Sequence, residues 1–578
     1  MERSRDRAGE AARIFGLLAL VVLATSFGSE EALAGAGMTN LAHGMPYWLS
    51  LPPEPSYPDQ GNELTDGVKG GTVFGQPAWQ GHLREQFRVV TIDLQAVKPV
   101  REVVVGFLHD PSAGIFLPDR TLLQTSVDGH TWTAPVALAK HEFGTLTSPA
   151  RYEAAFRNLD VAARYVRVVF FVEVWVFVDE IEVWGEDRIV AVPGGEGAGG
   201  LPEDDPYLGP SEQHAAWRGS EPTSAVRDAY FPPGHPGAGG VRHMVLIYTH
   251  GDWLVGEALP YVAYAPRQDP RKLEIPRWED WFFDAFLFLA LYSPDGKQYG
   301  STARGGEPAT WRDWLGFLDR LFTPNQQLDA FEQAVARAKQ TIDDPGYRAK
   351  VVVMIPYPIP SVLDFGDVDG SGRSLSFAAY PQGREAQRKA RFAAIEAYVG
   401  ELERRWRERN FEHLELVGLY WLAEELNGYE DLRLVQDVSQ LLGEKGLKLF
   451  WIPHFGASGW ARWEEAGFDV AIYQPNYMFN DSVPLSRLRE AAEGARRYGM
   501  GVEIEADATV LTSADRRERY LAYLRTGAEL GFMTTSIHAY YQERRVLLEA
   551  WISTDPAVRG LYDATYAYVK GVYEPDTR

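Results

Sequence analysis

Cysteine is absent from the 578-residue chain. That excludes disulfides, a thiolate nucleophile and any metal site built on cysteine ligands. Positive charge is scarce: 57 Lys and Arg stand against 80 Asp and Glu, a formal net charge of −23. So acidic a surface repels phosphate backbones and argues against a nucleic-acid partner. Long apolar runs are missing too. The run from Ile14 to Ala24 falls short of the roughly 18 residues a membrane span needs. It follows Arg3, Arg5, Arg7 and Arg13 and precedes Ala32-Leu33-Ala34. That is the layout of a secretory signal peptide. Residues 1–37 are therefore predicted to be removed, leaving an extracellular or cell-surface protein with no membrane span.

What is present is apolar and aromatic. Hydrophobic residues make up 45% and aromatics 13%, enough for large cores, and the length predicts more than one domain. Seventeen Trp and 28 Tyr supply rings suited to stacking on sugar faces, although most must be core.

Three textures follow. Residues 38–186 carry short β-branched runs split by turn residues: Val89–Leu94, Glu102–Leu108, Thr121–Val127, Tyr165–Val172 and Phe177–Gly185. They predict an all-β sandwich. Residues 187–240 are rich in Gly and Pro and read as a linker. From residue 241 to 578, eight apolar runs alternate with amphipathic segments: His243–His250, Phe283–Leu291, Lys350–Pro358, Leu414–Leu422, Leu447–Phe455, Asp469–Tyr477, Gly501–Asp507 and Phe532–Tyr541. Eight strand–helix units predict an α/β TIM, or (β/α)8, barrel rather than an open doubly wound sheet; no Gly-x-Gly-x-x-Gly follows the first run.

In such barrels the working groups sit at the C-terminal strand ends. Those ends carry Tyr248, His250 and Asp252 (first strand), Asp284 (second), Tyr357 (third), Tyr420, Trp421, Glu424 and Glu425 (fourth). The fifth to eighth add His454; Tyr473, Gln474, Asn476 and Tyr477; Glu503, Glu505 and Asp507; and His538, Tyr540 and Tyr541. In Val-Glu-Ile-Glu-Ala-Asp, 502–507, strand alternation puts Glu503, Glu505 and Asp507 on the barrel axis if the aliphatics face the helices. Buried carboxylates are costly unless paired or hydrogen-bonded, so they suggest a site. With Glu424 or Glu425 opposite, two acids could flank one sugar linkage, one protonated and one ionised. The spacing that separates retention from inversion is not legible in sequence.

The pair on strands four and seven resembles the large clan of retaining (β/α)8 glycoside hydrolases. The resemblance implies Glu424 as acid/base and Glu505 as nucleophile, with Glu425 and Glu503 as alternates and no cofactor for catalysis. The clan usually has Asn before the fourth-strand glutamate; here Ala423 stands there. The barrel is also similar to a bacterial secreted domain family of unknown function, on Tyr-Trp-x-x-Glu-Glu (420–425), His-Phe-Gly-Ala-Ser-Gly (454–459), Tyr-Gln-Pro-Asn-Tyr (473–477) and Val-Glu-Ile-Glu-Ala-Asp (502–507). The N-terminal region resembles the discoidin or coagulation-factor C-domain fold on Leu64–Gly70, Pro77–Gly81, Val90–Leu94, Ser126–Trp132, Ala163–Val168 and Asp179–Gly185. That implies a carbohydrate-binding module, a structural Ca²⁺ near Asp66 and Glu182, and sugar contacts from Trp79 or Trp132.

The expected function is a secreted glycoside hydrolase acting on a polysaccharide. Two alternatives stand beside it: a non-catalytic carbohydrate-binding protein, and a metal-dependent polysaccharide deacetylase with Zn²⁺ on His250, Asp252 and His454. A calcium loop at Asp367, Asp369, Ser371 and Gly372 would lack its bidentate glutamate, because position twelve is Ala378.

Overall fold

The computed structural model describes residues 37–83, 86–143, 146–172, 174–191, 226–266, 277–300, 306–379 and 382–575. The predicted leader, save Gly37, and residues 192–225 of the Gly/Pro-rich segment lie outside the described residues.

The N-terminal part is an all-β sandwich of nine strands: β1 (Thr39–Asn40), β2 (Tyr47–Leu49), β3 (Gln80–Leu83), β4 (Gln86–His109), β5 (Arg120–Ser126), β6 (Val136–Ala139), β7 (Ala150–Phe156), β8 (Val161–Val172) and β9 (Trp175–Gly185). The runs Val89–Leu94 and Glu102–Leu108 belong to one strand, β4. It bends at Gln95, whose φ is 63°, where its register on β8 jumps from Asp93 to Lys98. The first half pairs with β2 and β8, the second with β7 and β9. A strand that bends this way passes from one layer to the other. Val90, Ile92, Val103, Val105, Phe107, Val168, Phe170, Val178 and Ile181 close the core between the layers. On the outer face, Phe87, Val89, Leu122 and Val169 cluster with Ala379, and the Arg384 guanidinium lies 5.3 Å from the Phe87 ring centre. The sandwich therefore touches the segment that enters the helix Arg384–Arg409.

The second part is a closed parallel barrel: β10 (His243–Tyr248), β13 (Ala285–Leu289), β14 (Ala349–Ile355), β15 (Leu414–Trp421), β16 (Lys448–Trp451), β17 (Val470–Tyr473), β18 (Gly501–Glu505) and β19 (His538–Tyr541). A short ribbon, β11 (Ala263–Tyr264) with β12 (Asp280–Trp281), stands aside from it. The ring closes where β19 pairs with β10, His243 opposite His538. These strands are buried on both faces, which is why their sequences are nearly continuously apolar. Helices cover them through apolar stripes. In Trp311–Leu321 the buried residues Trp314, Phe317, Leu318 and Leu321 fall at helical spacing.

Two local features set up the site. The helix Ala514–Leu530 starts at Ser513, whose hydroxyl accepts the Arg516 N–H, and stops at Gly531, φ 79°. Its Gly527 must be glycine, since a Cβ there would lie 2.0 Å from the Tyr568 hydroxyl of the helix Pro556–Val569. Phe532–Thr535, read from sequence as the beginning of the eighth strand, is a helical turn. At the barrel floor Phe231 is buried. Its N–H donates to Met500 O and its carbonyl accepts from Ile537, so 226–240 packs against the barrel.

Candidate active site

The site grows from β18. Glu503 is 2% exposed and Glu505 fully buried. Both face the axis: the charge of Glu503 bears on Tyr248 of β10 and Tyr420 of β15, across the barrel. Their partner positions on β19 are Ala539 and Tyr541. Glu505 is held from two sides. The Tyr523 hydroxyl donates to Oε2, and Asn476 donates to Oε1 through its backbone N–H (3.2 Å) and its side-chain amide (3.3 Å). Asn476 does this from the left-handed region, φ 50°, which asparagine tolerates better than most residues. Gln474 accepts from the Asn476 amide at 3.0 Å, and Asn476 Oδ1 accepts the Phe455 N–H at 2.8 Å. Tyr523 is fixed in turn by the N–H groups of Tyr477 (3.1 Å) and Met478 (3.0 Å). Gln474, Asn476 and Tyr477 thus serve as the support of Glu505.

Burial raises both acids. Glu505 is pushed up to about 7, mainly by desolvation, with the charge of Glu424 adding to it and the Tyr523 and Asn476 hydrogen bonds opposing it. Glu503 is raised well above the carboxylate range, first by desolvation and then by Glu505 and Glu424. Its Oε1 is buried without a hydrogen-bond partner. Glu424 is exposed just beyond β15, yet near enough to act on Glu503, Glu505, Tyr248 and Tyr420. Glu425 Oε2 lies 3.7 Å from His454 Nε2. Tyr541 closes the cluster, its ring centre 5.9 Å from that of Tyr248. His250 stacks on Tyr292 at 4.1 Å; burial, with Arg320 and Arg544 nearby, lowers it to about 4, so it is neutral at pH 7.

Other residues expected at the rim lie elsewhere. Asp284 precedes β13 at the opposite end of the barrel, where it accepts the Arg242 and His243 N–H groups and pairs with Lys350 at 3.1 Å. His538 opens β19 and hydrogen-bonds Val502 O and Phe532 O. Tyr540 shares register with Ile504, not Glu505, so it turns to the helices and meets His243 Nδ1 at 2.9 Å. Tyr473, register partner of Val502, also faces outward and stacks on Trp460 at 4.4 Å; Tyr523, not Tyr473, orients Glu505. Tyr357 and Trp421 pack on each other, and Tyr357 donates to Asp431, which pairs with the buried Arg391. Asp252 is exposed and pairs with Arg320 at 3.2 Å. Asp507 caps the turn Ala508–Leu511 instead of facing the axis. In the sandwich Trp79 is core, 2% exposed, and Trp132 lies under Arg167 at 3.6 Å.

The family model "Domain of unknown function (DUF4855)" matches residues 243–567, more than half the chain and the whole barrel from β10 to β19. The chain belongs to the DUF4855 family. No curated protein matches the sequence. Solved structures similar to this DUF4855 protein include chitosan-binding module 1 of a chitosanase/glucanase from Paenibacillus sp. IK-5. It is 17% identical, with 25% of this chain and 99% of that one covered and a TM-score of 0.19. A Streptococcus pneumoniae fucose binding module is 17% identical, with 26% and 97% covered and a TM-score of 0.21. The lectin domain of lectinolysin, complexed with Lewis B antigen, is 19% identical, with 26% and 98% covered and a TM-score of 0.19.

Among the described residues of the DUF4855 protein, no group of three or more His, Asp or Glu is gathered to hold a metal ion. His250, Asp252 and His454 are engaged with Leu291 N–H, Arg320 and Glu425 respectively, and do not form a zinc set. Asp66 Oδ1 accepts its own turn's Val68 N–H, and Glu182 pairs with Lys69 at 3.1 Å. Asp367 accepts four backbone N–H groups, from Asp369, Gly370, Ser371 and Gly372, which makes that loop a self-capped turn. Among the described residues no helix is long and apolar enough to cross a membrane.

Proposed function

We propose that this DUF4855 protein is a secreted glycoside hydrolase that cleaves a polysaccharide by a two-carboxylate, retaining mechanism. One observation carries the reading: Glu505 is buried on the axis, hydrogen-bonded by Tyr523 and Asn476, within reach of the charge of the exposed Glu424. Glu505 supplies the nucleophile. Its hydrogen bonds oppose the effect of burial and keep an ionised fraction near neutral pH. Glu424, in its acid form, gives a proton to the glycosidic oxygen as the bond to the anomeric carbon breaks and Glu505 forms an ester to that carbon. In the second step Glu424 takes a proton from water, the water oxygen bonds the anomeric carbon, and the Glu505 carboxylate leaves. The exposure of Glu424 suits both steps, since it meets leaving group and water. Of the tyrosines near the acids, Tyr541 keeps partial exposure and offers its ring to the sugar, while Tyr248 and Tyr420 are buried.

The test is release of reducing ends from a panel of bacterial and plant polysaccharides. Glu505→Gln and Glu424→Gln should each lower the rate by several orders of magnitude while the fold persists. Full activity in both variants refutes the mechanism. Glycan binding with no reducing ends released from any polymer would return the barrel to a non-catalytic role, and acetate release without chain cleavage would point to deacetylation.

A further inference from the structure

The cluster of acids on the axis of the barrel is unusual in its sign. Glu503, Glu505 and Glu424 act on one another, and the charges that bear on Glu503 and Tyr420 are carboxylates. The arginines near this mouth, Arg320 and Arg544, bear instead on His250. A two-carboxylate mechanism uses two acids. Glu503 is a third, 2% exposed, with Oε1 lacking a hydrogen-bond donor. An orphaned buried oxygen of this kind is costly and calls for a partner brought from outside. Three tyrosines, Tyr248, Tyr420 and Tyr541, border it, with the rings of Tyr248 and Tyr541 at 82° to each other. A carboxylate flanked by aromatic rings is the chemistry that recognises an ammonium group.

We infer that the barrel mouth takes a sugar carrying a free amino group, an aminohexose in its ammonium form, and that Glu503 receives it, giving up its own proton to solvent as the ammonium takes that proton's place. The inference rests on the hydrolase reading and adds the substrate class to it. A neutral sugar leaves Glu503 Oε1 without a charged partner, and an N-acetyl group would replace a cation with a bulkier neutral amide. The net charge of −23 also draws a cationic polymer towards the mouth.

The experiment uses the full chain carrying Glu505→Gln, so that binding is read without turnover. Free-amine and N-acetylated oligomers of glucosamine and of galactosamine are titrated calorimetrically. A free-amine form should bind about tenfold or more tightly than its N-acetylated counterpart, the size of one charge-assisted contact. Adding Glu503→Gln should collapse that difference, and this arm assigns the preference to the barrel rather than the sandwich. Equal or tighter binding of the N-acetylated forms, no binding of any free amine, or a preference that survives Glu503→Gln overturns the inference. The wild-type chain separates the two readings: the amine preference without reducing ends released sinks the hydrolase alone, and cleavage of N-acetylated polymers as readily as free amines sinks the substrate class alone.

Discussion

Replacing Glu505 by Gln should make the protein more stable, by an amount that grows with pH. Glu505 titrates near its ordinary 4.5 in an unfolded chain and at about 7 when folded. Below the unfolded value both states are protonated and burial carries no charge penalty. Between the two values the folded state keeps a proton that the unfolded state has lost, so stability falls as pH rises, and the loss is complete just above the folded value. Each pH unit separating the two values is worth about 1.36 kcal/mol, so the full loss is about 3 kcal/mol. Glutamine does not titrate, and it retains an oxygen for the Asn476 N–H. Glu503 is present in both proteins and cancels to first order. Thermal unfolding of wild type and Glu505→Gln between pH 4.5 and 8 reads the difference. It should widen towards high pH by about 4–5 °C for a barrel of this size. A melting-temperature difference that stays constant across this window would refute the electrostatic account of Glu505.

Two further outcomes follow from the same contacts. Tyr523→Phe removes a donor from Glu505 and raises its pKa, so the acidic limb of kcat/KM should move to higher pH by about 1–2 pH units, a neutral-to-charged hydrogen bond being worth about 1.5–3 kcal/mol; an unmoved limb in a pH–rate profile would rule out this role for Tyr523. Arg391→Met leaves the fully buried Asp431 without its 2.8 Å partner and should cost about 3–5 kcal/mol of stability by denaturant titration, whereas the double change with Asp431→Leu should recover most of it.

The periodic part of this protein is legible in the chain alone. Eight apolar runs announce a barrel because parallel strands are buried on both faces, and the alternation from Val502 announces Glu503 and Glu505 as axial acids because a strand's period is fixed at two, whereas Asp507, expected beside them, lies past the strand end and caps a turn. Where period governs, residues can be read without coordinates. Strand ends are different. Tyr473, Tyr540 and His538 read as rim residues, yet register places them against helices or at the floor, and Asp284 lies at the wrong end of its strand. The orienting Tyr523 was not legible at all. It lies 18 residues beyond Glu505 on a helix whose buried stripe also contains Tyr520 and Leu524, so its spacing marks it only as core. Its contact with a carboxylate exists because barrel closure, the stop at Gly531 and the close approach at Gly527 bring that helix over the end of β18. Local periodicity is a property of the chain; which polar atoms meet depends on how whole elements are rotated and stacked, and that is settled only when they pack.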